Sequence, residues 1–94
     1  MIRSRICDML GIQYPVFQGG MAWAADASLA AAVSNAGGLG LISAINAGTE
    51  AVRNEIRKCR TLTDKPFGVN IMLQAPNAAE IADMVVEEGV KILT

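Results

Sequence analysis

Two kinds of residue in this 94-residue chain carry chemistry: glycines that stop an apolar run, and amides set in apolar surroundings. Pro15-Val16-Phe17-Gln18-Gly19-Gly20-Met21-Ala22-Trp23 is a short apolar run ending at two glycines, and Asp26 follows as a helix-start signal. A strand feeding a glycine turn feeding a helix puts bare backbone N–H groups at the carboxyl end of a strand, where α/β folds place their ligands. Glycine there admits a flat or anionic group close to the main chain, with no Cβ in the way. The same pattern also describes a tight turn with no ligand. Asn70 lies inside the apolar run Gly68-Val69-Asn70-Ile71. A buried amide in a strand must find partners, and these are either an internal hydrogen bond or a heteroaromatic ligand such as a flavin. Asn46 follows another strand and reads first as a turn residue. Met21 and Trp23 are core fillers, or they line a ligand pocket or partner surface.

The elements that position these residues alternate. Arg3 to Leu10 reads as a leading helix closed by Gly11. Strands are expected over Tyr14–Phe17, Leu39–Ser43, Phe67–Met72 and Val90–Thr94. Between them, Asp26 caps one helix, Thr49 caps a second running to about Leu62, and Asn77 with Glu80 forms a capping-box-like start to a third. The strands are apolar on both faces, as buried parallel strands are. The βα spacing fits either a (β/α)8 barrel or a doubly wound sheet. On the barrel reading the strands are parallel, in sequential order, with the helices on one side, and Val16, Leu41, Val69 and Ile92 face the interior.

Gly37-Gly38-Leu39-Gly40 follows a helix and precedes a strand. A dinucleotide fingerprint needs the opposite order, so a helix C-cap and close helix–strand packing explain these glycines better. The second strand ends in Ser43-Ala44-Ile45-Asn46, with no acid to bind a ribose, which argues against a classical NAD site.

Composition narrows the function further. The chain is 52% hydrophobic with a formal net charge of −1. That is one small domain, residues 1–94, with no internal boundary. It carries no basic run for nucleic acid and no apolar stretch long enough to span a bilayer. Cys7 and Cys59 match no metal or redox spacing and read as free, buried thiols of a reducing, cytoplasmic compartment. There is no histidine, so imidazole chemistry is outside this chain. An eight-unit barrel needs roughly 250 residues, and this chain stops in an apolar strand. It reads as the N-terminal portion of a longer barrel, with exposed apolar surface and low stability as an isolated monomer.

Three motifs in order, Pro15 to Trp23, Ala30-Ala31-Ala32-Val33-Ser34-Asn35-Ala36-Gly37-Gly38-Leu39-Gly40, and Lys65-Pro66-Phe67-Gly68-Val69-Asn70-Ile71-Met72, resemble the FMN-dependent enoyl-acyl-carrier-protein reductase II family. The related nitronate monooxygenases (2-nitropropane dioxygenase type) share the architecture. Gln18-Gly19-Gly20-Met21-Ala22-Trp23 leans to the reductase, since the monooxygenases tend to have Ala-Pro in place of Gly19-Gly20. The resemblance implies a TIM-type barrel binding FMN at its carboxyl face. It puts the backbone around Gly20, Met21 and Ala22 against the isoalloxazine ring, Asn70 on the flavin, and Asn46 as a weaker contact. It implies an NADH- or NADPH-dependent reduction of a trans-2-enoyl thioester in fatty acid biosynthesis. The phosphate loops and a histidine beside the flavin would lie beyond Thr94. A homodimer is among the assemblies it allows. The competing reading of a different class is a non-catalytic chain that self-associates or docks to a partner.

Overall fold

The computed structural model describes residues 4–19, 26–44 and 48–94. Among these described residues six elements follow one another: α1 (Arg5–Leu10), α2 (Ala27–Asn35), β1 (Gly40–Ser43), α3 (Thr49–Leu62), β2 (Phe67–Asn70) and α4 (Ala78–Glu87). β1 and β2 pair in parallel, with Leu41 opposite Gly68 and Ser43 opposite Asn70. Single parallel bridges extend the sheet on both sides, Phe17 to Leu39 and Val69 to Leu93. Four strand segments therefore run parallel in sequential order, as the βα spacing predicts. The two outer segments are shorter than expected, each joined to its neighbour by a single bridge.

Local chemistry accounts for most of the boundaries. The Asp26 carboxylate accepts from the Leu29 amide at 3.0 Å and starts α2. Ser4 caps α1 in the same way, accepting from Cys7 N. Two expected caps differ. Thr49 is the first helical residue of α3, and Gly48 before it supplies extended backbone without a side-chain cap. Asn77 is the residue before α4, at φ −102°, ψ 19°; its carbonyl accepts from Ile81 N at 2.9 Å, but its side chain makes no cap hydrogen bond. That backbone lies outside the extended region from which a cap side chain reaches the second or third amide, so the Asn77 side chain does not cap the helix as expected.

Gly37 and Gly40 join α2 to β1. Gly37 follows the helix with φ 106°, and a Cβ on it would stand 2.9 Å from the Tyr14 ring. At Gly40 a Cβ would lie 1.9 Å from the carbonyl oxygen of Ala30. α2 can approach this closely because its inward residues, Ala27, Ala30, Ala31 and Ser34, are small. The buried Ser34 hydroxyl accepts from the Gly40 amide at 3.0 Å. The glycines are thus a helix end and a helix–strand contact, as their order in the sequence indicates.

One face of the sheet is closed by α2, α3 and α4. Ile42 and Val69 pack there with Val52, Ile56 and Cys59 of α3 and Ile81, Met84 and Val85 of α4. The opposite face has a smaller cluster in which Cys7 and Ile12 meet Leu39 and Leu41, with Ile92 alongside. α1 is therefore the exception to the expectation of helices on one side. The register also corrects the inward set. Leu41 and Ile92 face the interior, but Val69 packs among the helices, and Val16, one residue before Phe17, falls on that helix side too. Side chains alternate with a period of two, so a one-residue difference in register exchanges the faces.

Candidate functional site

The carboxyl ends of the strand segments carry a polar side chain each: Gln18, Ser43, Asn70 and Thr94. Ser43 is opposite Asn70, and the bridge from Val69 to Leu93 sets Thr94 beside Asn70 on the other side. By alternation these three share the face of Leu41, Gly68 and Ile92, turned away from α2–α4.

Asn70 is held on both sides. Its backbone carbonyl accepts from Ala44 N at 3.0 Å. The Thr94 hydroxyl donates to Asn70 Oδ1 at 3.0 Å. The Thr94 backbone is fixed by its own ladder: its N–H donates to Val69 O at 3.0 Å, and its carbonyl accepts from Ile71 N at 2.9 Å. With Oδ1 directed at Thr94, the Nδ2 donors of Asn70 are left for a ligand, while Oδ1 keeps a second lone pair.

Gln18 has a different role. Its Oε1 accepts from Leu41 N at 3.0 Å, and its Nε2 donates to Leu41 O at 3.0 Å and to Gly19 O at 2.6 Å. The side-chain amide thus stands in for a peptide group, carrying the ladder one step beyond the backbone bond from Gln18 N to Leu39 O. It is committed to holding the end of the first strand against β1.

Of the residues expected at the site, Asn70 is the last residue of β2, which ends two residues before the expected Met72. Gly20, Met21, Ala22 and Asn46 lie outside the described residues, as does Trp23. Sequence reading assigned no role to Ser43 or Thr94, although each is the polar end of an expected apolar strand, a signal that would have found them.

The row contains no ionisable side chain, so it binds and orients but does not itself transfer protons. Nor do the other titratable groups offer a nucleophile here. Burial, and to a lesser degree Glu55, pushes the Cys59 thiol up to about 11, which leaves it protonated at neutral pH. The charged groups gather between α3 and α4. Glu88 bonds Arg57 Nε at 3.0 Å and Arg53 Nη1 at 3.0 Å, and Arg60 reaches its carboxylate and its backbone carbonyl. The Arg57 hydrogen bond holds the Glu88 carboxyl below the usual carboxylate range. An acid at a helix C-terminus is disfavoured by the helix dipole, and the arginines offset that while tying α4 to α3.

Two grooves flank the sheet. One of about 760 Å³ lies at the amino ends, lined by Met9, Leu10, Pro66 and Phe67. The other, about 640 Å³, runs between Leu93 and the Ala78–Ala82 face of α4. The amino-end groove is the larger, but parallel α/β sheets place their chemistry at the carboxyl ends. Of the polar row, Thr94 also lines the second groove, and Gln18, Ser43 and Asn70 lie outside both.

Comparison with known proteins agrees with this geometry. A model of the nitronate monooxygenase family matches residues 3–93. A nitronate monooxygenase of Pseudomonas aeruginosa is 47% identical over 79 residues, covering 84% of this chain and 22% of that protein. A (3aS,4S,5R,7aS)-5-hydroxy-7a-methyl-1-oxo-octahydro-1H-indene-4-carboxyl-CoA dehydrogenase of Mycobacterium tuberculosis is 38% identical over 91 residues, 97% of this chain and 26% of that protein. The structure of FabK from Thermotoga maritima superposes with a TM-score of 0.97 at 45% identity, covering 99% of this chain and 30% of FabK. The chain thus spans about a quarter of the length of the curated relatives it matches. Its parallel, sequential strands are a segment of a TIM-type (β/α)8 barrel. By a match over nearly its whole length, the chain belongs to the nitronate monooxygenase family, whose members are flavin-dependent oxidoreductases.

Proposed function

We propose that this chain forms part of the FMN site of a barrel oxidoreductase that reduces trans-2-enoyl-acyl-carrier-protein thioesters with NADH or NADPH. The observation that carries the cofactor assignment is the Asn70 amide at the carboxyl edge, set between Ser43 and Thr94. A row of neutral hydrogen-bonding groups without a cation suits the polar edge of a flavin ring and not its phosphate, which must be met elsewhere in the barrel. FMN would supply the hydride chemistry. The chain's own part is to bind, orient and exclude water: Asn70 donates to an acceptor on the ring edge, and Gln18 anchors the strand from which Gly20, Met21 and Ala22 extend as the proposed backbone contacts. Asn46 is a weaker proposed contact. The two free, buried thiols support a reducing, cytoplasmic setting.

Support for the reductase comes from the Gln18-Gly19-Gly20-Met21 motif and the 0.97 superposition on FabK. A second reading, nitronate oxidation, is favoured by the 47% identity to the Pseudomonas monooxygenase. The test uses the protein carrying the whole barrel. The expected result is FMN-dependent NADH or NADPH consumption with crotonyl thioester. Oxygen uptake with a nitronate and no turnover of the thioester selects the second reading. Failure to bind FMN overturns both.

A further inference from the structure

We propose that Thr94 is a positioning residue for the cofactor: its hydroxyl sets which end of the Asn70 amide faces the flavin. The proposal rests on the FMN reading above and goes one step deeper into the same site.

An asparagine amide has an acceptor end and a donor end of nearly the same shape, and rotation by half a turn about its last bond exchanges them. A ligand that needs a donor is met only if something holds the rotamer. Here that something is one residue on the neighbouring strand segment. Thr94 Oγ1 donates to Asn70 Oδ1 at 3.0 Å. The hydroxyl is itself well placed, because the Thr94 backbone is bonded on both sides, to Val69 O at 3.0 Å and to Ile71 N at 2.9 Å. The bridge from Val69 to Leu93 fixes the register that brings the two side chains together. A β-branched residue adds stiffness at χ1, so the hydroxyl has few alternative directions. With Oδ1 directed at Thr94, the amide presents N–H to its ligand. It therefore selects the acceptor atoms of the flavin ring edge and discriminates against its N–H group.

The experiment measures FMN affinity by flavin fluorescence in the protein carrying the whole barrel. Four forms are compared: native, Asn70→Ala, Thr94→Val and the double variant, with Thr94→Ser as the conservative control. Valine keeps the shape and removes the hydroxyl. The expected result is a rise in Kd of about three- to tenfold for Thr94→Val, the size of one neutral hydrogen bond. Thr94→Ser restores native affinity. In the Asn70→Ala background, Thr94→Val has no further effect, because a residue that acts through Asn70 has nothing left to position. A merely structural threonine would instead add its cost in both backgrounds and would not be rescued by serine. Either of those results overturns the proposal, as does an unchanged Kd in Thr94→Val. If that variant fails to fold, Thr94→Ala is read in the same cycle. The outcomes separate cleanly. Loss of affinity in Asn70→Ala with none in Thr94→Val removes only the positioning role, whereas a native protein that does not bind FMN removes the cofactor reading with it.

Discussion

The two faces of the sheet differ in how much of their packing this chain supplies. On the helix side, Ile42, Val69, Ile56, Ile81 and Val85 are wholly buried, all by elements of the chain itself. On the other side, Leu39 and Leu41 are covered by α1 and the residues after it, and Phe17 remains 46% exposed. A βα unit closes its outer face locally, because each helix packs back on the strands beside it. Its inner face is closed only by strands distant in sequence, or by a ligand. The difference predicts where substitutions hurt stability and where they hurt binding.

The largest effect is expected at Gly40. A Cβ there would overlap the Ala30 carbonyl, and neither backbone can yield without separating α2 from β1. Gly40→Ala should cost about 4–5 kcal/mol or more, or abolish folding. A denaturation midpoint near the native value would show that the helix side is less tightly closed than its geometry indicates. Next comes Ile56→Ala, which empties a fully buried position on the same side and should cost about 2–5 kcal/mol by urea titration.

Asn70→Leu falls on the inner face, where binding and not packing is at stake. It should leave the melting temperature close to native while weakening FMN binding by about 1–3 kcal/mol, read by fluorescence titration. Equal affinity in the variant would take Asn70 out of the site. Phe17→Ala, on the open inner side, should cost this chain's own packing under about 1 kcal/mol. A larger loss in the protein carrying the whole barrel would measure how much of that face the rest of the barrel covers.

The smallest effect is electrostatic. The Glu88 carboxyl is held low by Arg57, whereas the unfolded group titrates near about 4.3. The stability this contributes is complete above that value and is lost as pH falls through the lower folded one. Glu88→Gln should remove that contribution at neutral pH, match the native protein at pH values below the folded one, and so flatten the acid side of the stability profile. An unaltered profile would mean that the arginines hold α4 by other contacts.

Much of the fold was legible in order and spacing. The glycines of Gly37-Gly38-Leu39-Gly40 could be read as packing because they follow a helix. The buried stripes of α3 and α4 repeat at helical spacing, and the structure buries those same residues. Asn77 does stand at the start of α4, but its missing side-chain cap and the shift of the α3 cap from Thr49 to Gly48 were not legible, because a cap depends on the backbone angles of one residue, and the residues around it set those. Val16 and Val69 were misassigned for a related reason. A strand that is apolar on both faces does not show which residues point inward, and only the register with its neighbour decides.

The candidate site divides in the same way. Asn70 is conspicuous as an amide in an apolar strand, and Gln18 belongs to a recognisable motif, so residue type alone singled out both regions. Their partners are far along the chain: Thr94 is 24 residues from Asn70, and Leu41 is 23 residues from Gln18. By itself the sequence determined the alternation of strand and helix, the family, and the close contact at Gly40, because those depend on local periodicity and on residue size. Tertiary structure alone decided that Gln18 is spent on the backbone of β1 and that Thr94 takes the oxygen of Asn70. Hydrogen bonds between neighbouring parallel strands join residues that the intervening helix keeps apart in sequence, and no local pattern encodes which end of an amide they engage.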